Sequence, residues 1–130
     1  MNIAKTIEGM YEPMDVIAQS NEPLADAAAR MRFNDVGSVL VIDDGELVGI
    51  LTERDLARAF ADGPDPRLAS VGDYMTPDPL FATPATEVED AARMMIVAGF
   101  RHLPIIEAGK LVGVLSMRDI LSSLVWSNAS

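Results

Sequence analysis

No cysteine occurs among the 130 residues, so disulfide scaffolds, zinc knuckles and thiol nucleophiles are excluded together. A single histidine, His102, removes multi-histidine metal sites as well. Basic residues are scarce: 10 stand against 20 acidic ones, a formal charge of −10. Such a chain is repelled by phosphate backbones and by anionic bilayers, so no nucleic acid and no membrane is expected as a partner. Long apolar runs are missing too. Nothing approaches the roughly 18 residues of a membrane span, and the opening MNIAKTIEGM has no apolar signal core, so a soluble cytoplasmic protein is expected. Aromatic residues make up only 5%. What the chain does have is 49% apolar residues, enough for a real core and unlike a disordered segment.

The sequence also contains itself twice. A shift of 64 residues aligns 11–61 with 75–125 without a gap, with 14 identities in 51 pairs. The densest block is Gly45-Glu-Leu-Val-Gly-Ile-Leu-Thr-Glu-Arg-Asp55 against Gly109-Lys-Leu-Val-Gly-Val-Leu-Ser-Met-Arg-Asp119, where seven of eleven pairs are identical. Two copies without an insertion imply one duplicated supersecondary unit, each copy burying its apolar face against its twin around a pseudo-two-fold axis.

Both copies give the same pattern of elements. A short extended segment (15–18, 80–82) precedes a helix whose apolar face is Leu24, Ala27, Ala28 and Met31, or Val88, Ala91, Ala92 and Met95. Thr86-Glu-Val-Glu89 predicts a capping box for the second of these helices, whereas the first has only Pro23 near its start. Apolar strands over 39–42 and 103–106 turn through Asp43-Asp-Gly45 and Glu107-Ala-Gly109 into strands over 47–51 and 111–115. Thr52 and Ser116 then open helices running to about residues 61 and 125. The expected fold is α/β, two β-α-β-β-α repeats over 6–61 and 70–125 joined by a turn-rich connector at 62–69.

The two strings Leu-Val-Gly-Ile-Leu-Thr-Glu-Arg-Asp55 and Leu-Val-Gly-Val-Leu-Ser-Met-Arg-Asp119, with Arg101-His-Leu-Pro-Ile-Ile106, resemble a tandem pair of cystathionine-β-synthase (CBS) domains, a Bateman module. The resemblance runs from about Thr6 to Val125. It implies a regulatory module for adenosine-containing ligands rather than an enzyme. It also implies sites shared between copies: Thr52 and Asp55 with Ala82, Thr83, Arg101 and His102, and Ser116 and Asp119 with Ile17, Ala18 and Ser38.

The residues suit that chemistry, and plainer roles stand beside it. A helix start offers free N–H groups, and a carboxylate there can accept from a ribose diol. Thr52 and Ser116 are equally good N-caps. Arg101 and His102 suit a phosphate but could be merely solvated, and the first copy has Gly37 and Ser38 in their places. Ala18 and Ala82 leave space for an adenine or simply pack. Arg54 and Arg118 are expected to pair with nearby carboxylates before any phosphate. Trp126 suits contact with a second chain or with the chain's own edge.

The leading expectation is therefore a nucleotide-responsive regulator, with AMP, ADP or ATP as ligand (ATP bringing Mg²⁺) and S-adenosylmethionine or NAD sharing the same adenosine part. No covalently required cofactor, no metal site and no catalytic residue is expected. Two copies fill the 130 residues, so the regulated protein is expected in trans, with the module a homodimer formed through 56–60 and 120–124. The alternative is an interaction scaffold with vestigial ligand sites. A hydrolase would need a nucleophile or metal cluster that these residues do not supply.

Overall fold

The structure, a computed structural model, describes residues 5–13 and 16–128, the last three by backbone alone. The expected strand start at Asp15 and the side chain of Trp126 lie outside the described residues. Two compact units result: Asp15–Pro79, and Leu80–Ser130 together with Met1–Met14.

The first unit contains β1 (Ile17–Ala18), α1 (Leu24–Phe33), β2 (Ser38–Asp43), β3 (Glu46–Thr52), α2 (Glu53–Asp62), α3 (Val71–Tyr74) and β4 (Thr76–Pro77). Its sheet runs β1-β2-β3-β4, with β1 parallel to β2 and the other pairs antiparallel. The second unit repeats the plan with α4 (Val88–Ala98), β5 (His102–Glu107), β6 (Lys110–Ser116) and α5 (Met117–Asn128). Its outer positions are single bridges, Ala82 to Ile105 and Glu12 to Val114. The expected extended segment over 80–82 thus contracts to Ala82 alone. Pro104 on β5 has no N–H to donate to the Leu80 carbonyl, the next bond this parallel ladder would need before Ala82.

Helix faces follow the sequence pattern. Leu24, Ala27 and Met31 are buried in one core with Val39, Val41 and Leu51; Ala91 and Met95 are buried in the other with Leu103, Ile105 and Leu115. Both hairpins turn through two left-handed residues, Asp44–Gly45 and Ala108–Gly109, the turn that matches strand twist. The capping box expected at Thr86 does not form. Helix α4 is preceded by Glu87 with no side-chain cap, because the Thr86 hydroxyl accepts instead from the Thr83 N–H at 3.0 Å. The Val88 N–H at the helix start donates to the Lys5 carbonyl at 2.7 Å, just as Leu24 N–H donates to Ala69 at 2.9 Å. Backbone therefore takes the place of the missing side-chain cap.

Sequence repeat and spatial unit are offset. Ile7 and Val71, equivalent under the 64-residue shift, are fully buried in opposite units. Thr76 pairs with Ile50 on β3, and Glu12, its equivalent, bridges Val114 on β6. The segment that leads into each repeat thus completes the hairpin of the other. Its passage explains the shared glycines. A Cβ on Gly113 would lie 2.6 Å from the Tyr11 ring and 2.7 Å from the Glu12 carbonyl oxygen; one on Gly49 would collide with the Met75 sulfur and lie 3.0 Å from the Thr76 carbonyl oxygen. Gly113→Ala is accordingly expected to destabilise the protein by about 1–3 kcal/mol, the usual cost of overpacking, in chemical denaturation. Wild-type stability in that variant would contradict the packing described.

Candidate functional site

Both hydroxyl–aspartate pairs sit where a β-hairpin runs directly into a helix. Thr52 ends β3 and is the N-cap of α2. Its hydroxyl accepts from the Asp55 N–H at 3.2 Å, and the Asp55 carboxylate accepts from the Thr52 N–H at 2.9 Å and from the Thr52 hydroxyl at 3.1 Å. Ser116 and Asp119 repeat the box on α5: Asp119 N–H donates to the Ser116 hydroxyl at 3.0 Å, and Ser116 N–H donates to Asp119 at 2.9 Å. The capping role is thus realised in both copies, and each carboxylate is fixed at the positive end of a helix.

The two aspartates are not equivalent. Asp55 is only 6% exposed, and its other oxygen lies 3.5 Å from Arg58. Asp119 is half-buried, and its other oxygen has no hydrogen-bond or ion-pair partner among the described residues. Arg58 was not legible as a partner from the repeat. Arg54 and Arg118, the repeated arginines, make no ion pair among the described residues, contrary to expectation. A residue adjacent to an aspartate on a helix points away from it, whereas one three positions on shares its face.

The remaining candidates divide by unit. Ser38 is register partner to Thr52, and Ile17 and Ala18 pair with Leu40 and Val41 on the same sheet. Arg30 holds β1 by donating to the Ile17 carbonyl at 2.8 Å and pairing with Glu22 at 2.9 Å, a tie that Met94 cannot repeat. In the second unit His102 is register partner to Ser116, and the first amide of α5, Met117 N–H, donates to the Arg101 carbonyl at 3.0 Å. Arg101 and His102 therefore flank the Asp119 helix start, with Ala82 bridging the same sheet and Thr83 beside it. Arg101 is exposed and forms no ion pair among the described residues. Partial desolvation pushes His102 below the ordinary histidine pKa, the Asp119 charge opposes that fall, and the Arg101 charge adds to it. Thr52, Asp55, Ile17, Ala18 and Ser38 thus lie in the first unit, and Ala82, Thr83, Arg101, His102, Ser116 and Asp119 in the second.

Two open depressions of about 590 and 610 Å³ mark the first unit, one lined by Arg58, Asp62 and Tyr74, the other by Met31, Phe33 and Leu56. Neither is lined by an expected ligand residue. Among the described residues, no group of histidine and carboxylates could hold a metal ion, and no helix is long and apolar enough to cross a membrane.

A family model for the CBS domain matches residues 12–62 and 71–125. The chain belongs to the CBS-domain family. Its CBS pair is 42% identical over 115 residues to an uncharacterized 17.7 kDa protein of Acidianus ambivalens, covering 84% of this chain and 66% of that one. Relatives from Methanocaldococcus jannaschii and Methanopyrus kandleri are 31% and 36% identical, and the chain spans only 44% and 57% of their lengths. Among solved structures, the CBS-pair protein CBSX2 of Arabidopsis thaliana superposes with a TM-score of 0.86 at 27% identity, covering 98% of this chain and 99% of that one. CBSX2 in complex with AMP superposes at 0.78 with 29% identity, covering 95% and 98%.

The electrostatics of the Asp119 helix start give a pH prediction. In the folded protein His102 should titrate below about 6.5, the ordinary histidine value. Its neutral form is favoured by folding, so this group's effect is a loss of stability as pH falls through the unfolded value. By NMR, Asp119→Asn should lower the His102 pKa further and Arg101→Ala should raise it. Shifts of the opposite sign would refute the placement.

Proposed function

We propose that this CBS pair is a regulatory module that binds an adenosine-containing ligand, with AMP, ADP or ATP favoured over S-adenosylmethionine and NAD, and passes its occupancy to a partner protein. The observation that carries the reading is Asp119: a carboxylate fixed by its cap at a helix start, one oxygen without a partner among the described residues, in a unit that also offers an exposed arginine and a histidine. A carboxylate oxygen left open suits a ribose diol, and an exposed arginine suits a phosphate. The AMP complex of CBSX2 supports the ligand class.

By family pattern, Thr52 and Asp55 act with Ala82, Thr83, Arg101 and His102, and Ser116 and Asp119 with Ile17, Ala18 and Ser38. Arg101 then gives the first site the stronger phosphate grip, and the two sites bind unequally. Occupancy regulates only if the ligand has different affinity for two states of the module. The second reading, a scaffold with vestigial sites, has one observation in its favour: the Asp55 carboxylate is buried and already engaged on both oxygens.

A homodimer is part of the proposal. Helices α2 and α5 turn equivalent apolar residues outward, Phe60 at 91% exposure and Leu124 at 50%. Phe60→Glu is expected to shift sedimentation from dimer to monomer; an unchanged sedimentation coefficient would remove this face from the interface.

The ligand reading is tested by thermal shift with AMP, ADP, ATP with Mg²⁺, S-adenosylmethionine and NAD. A ligand at a hundredfold excess over its Kd adds about 2.7 kcal/mol to stability, a clear rise in Tm. The rise should be smaller in Asp119→Asn, and Arg101→Ala should weaken what remains there for phosphorylated ligands only. No shift with any ligand would favour the scaffold.

A further inference from the structure

From the inequality of the two aspartates we infer that Arg58 guards Asp55, occupying the carboxylate oxygen that a ribose would need. This rests on the nucleotide reading above and names a control on one of its two sites. One oxygen of Asp55 is taken by the N-cap, receiving the Thr52 N–H and hydroxyl. The other faces the Arg58 guanidinium at 3.5 Å. Arg58 is not simply a loose surface cation brushing past. The same nitrogen donates to the Tyr74 carbonyl at 2.7 Å, and the guanidinium carbon lies 5.8 Å from the centroid of the Tyr74 ring. Helix α3, through Tyr74, thus holds the arginine over the aspartate.

Among the described residues the other copy has no equivalent. The 64-residue shift puts Ser122 at the position of Arg58 and Met10 at that of Tyr74, and the second oxygen of Asp119 has no partner among the described residues. The two residues of the guard are among the positions that differ, while Thr/Ser and Asp stay in place in both copies. A diol arriving at Asp119 displaces only solvent; one arriving at Asp55 must first displace Arg58. That displacement is feasible, because Arg58 is 56% exposed and Asp62 and Asp73 line the same depression as alternative partners. The pair is long at 3.5 Å and its arginine stands in solvent, so the guard tunes affinity and does not close the site.

Calorimetric titration with AMP in the Asp119→Asn background isolates the Asp55 site. There Arg58→Ser is expected to tighten AMP about threefold at low salt, and the gain should shrink as salt rises. For 2′-deoxy-AMP, which lacks one hydroxyl of the diol, the gain should vanish. Arg58→Lys keeps the charge but loses the planar fork, and should give a smaller gain. Unchanged or weaker AMP binding in Arg58→Ser, or an equal gain for both nucleotides, would overturn the guard while leaving the nucleotide reading intact. A wild-type protein that binds no AMP would overturn both, and Tm values of the variants without ligand separate either result from unfolding.

Discussion

The close passage of one backbone strand over a glycine, made twice, is the constraint on which this structure depends. At Gly113 the chain around Tyr11 and Glu12 lies so near that no side chain fits, and at Gly49 the chain around Met75 and Thr76 does the same. Each passage adds an outer strand position to a hairpin and brings a buried aliphatic residue, Ile7 or Val71, into the core behind it. Because the strand that passes belongs in sequence to the other repeat, neither copy completes its unit from its own residues alone. Each hairpin in turn delivers a helix whose first residues carry the candidate chemistry. Packing at the glycine and geometry at the aspartate are therefore coupled through six residues of chain.

On that shared frame the copies have diverged where charge matters. Both keep the capping box, which holds a carboxylate at the positive end of a helix. Around it, one unit has Arg58, held by Tyr74, facing Asp55, and the other has Arg101 and His102 flanking the Asp119 helix start. The net charge of −10 raises the importance of these few cations, since a phosphate approaching the chain meets repulsion elsewhere.

Much of this was legible in the sequence, for identifiable reasons. Helix faces followed the spacing of Leu24, Ala27 and Met31, and of Ala91 and Met95, because burial selects apolar residues at helical period. The hairpins followed the Asp-Gly and Ala-Gly turns. The motif strings that reveal the CBS family turn out to be mostly fold physics: the glycine is there for a passing strand, the leucines for the core, the Thr or Ser for a cap. What the sequence concealed was non-local. The strand exchange pairs residues some 26 and 102 positions apart, Thr76 with Ile50 and Glu12 with Val114, with no local signal. Thr86 looked like a cap but turned back to Thr83, since the Lys5 carbonyl had taken the helix start. Arg58 was hidden because the repeat directs attention to Arg54, which shares its position with Arg118 and does not face the aspartate.

The central claim is that the helix starts following the two hairpins receive a nucleotide. Backbone amide NMR during an AMP titration reads it residue by residue. Saturable shifts are expected at Thr52–Asp55 and Ser116–Asp119, and at Arg101 and His102, with the two helix starts saturating at different AMP concentrations. Amides at both helix starts that stay unmoved while AMP is raised to millimolar levels would contradict it.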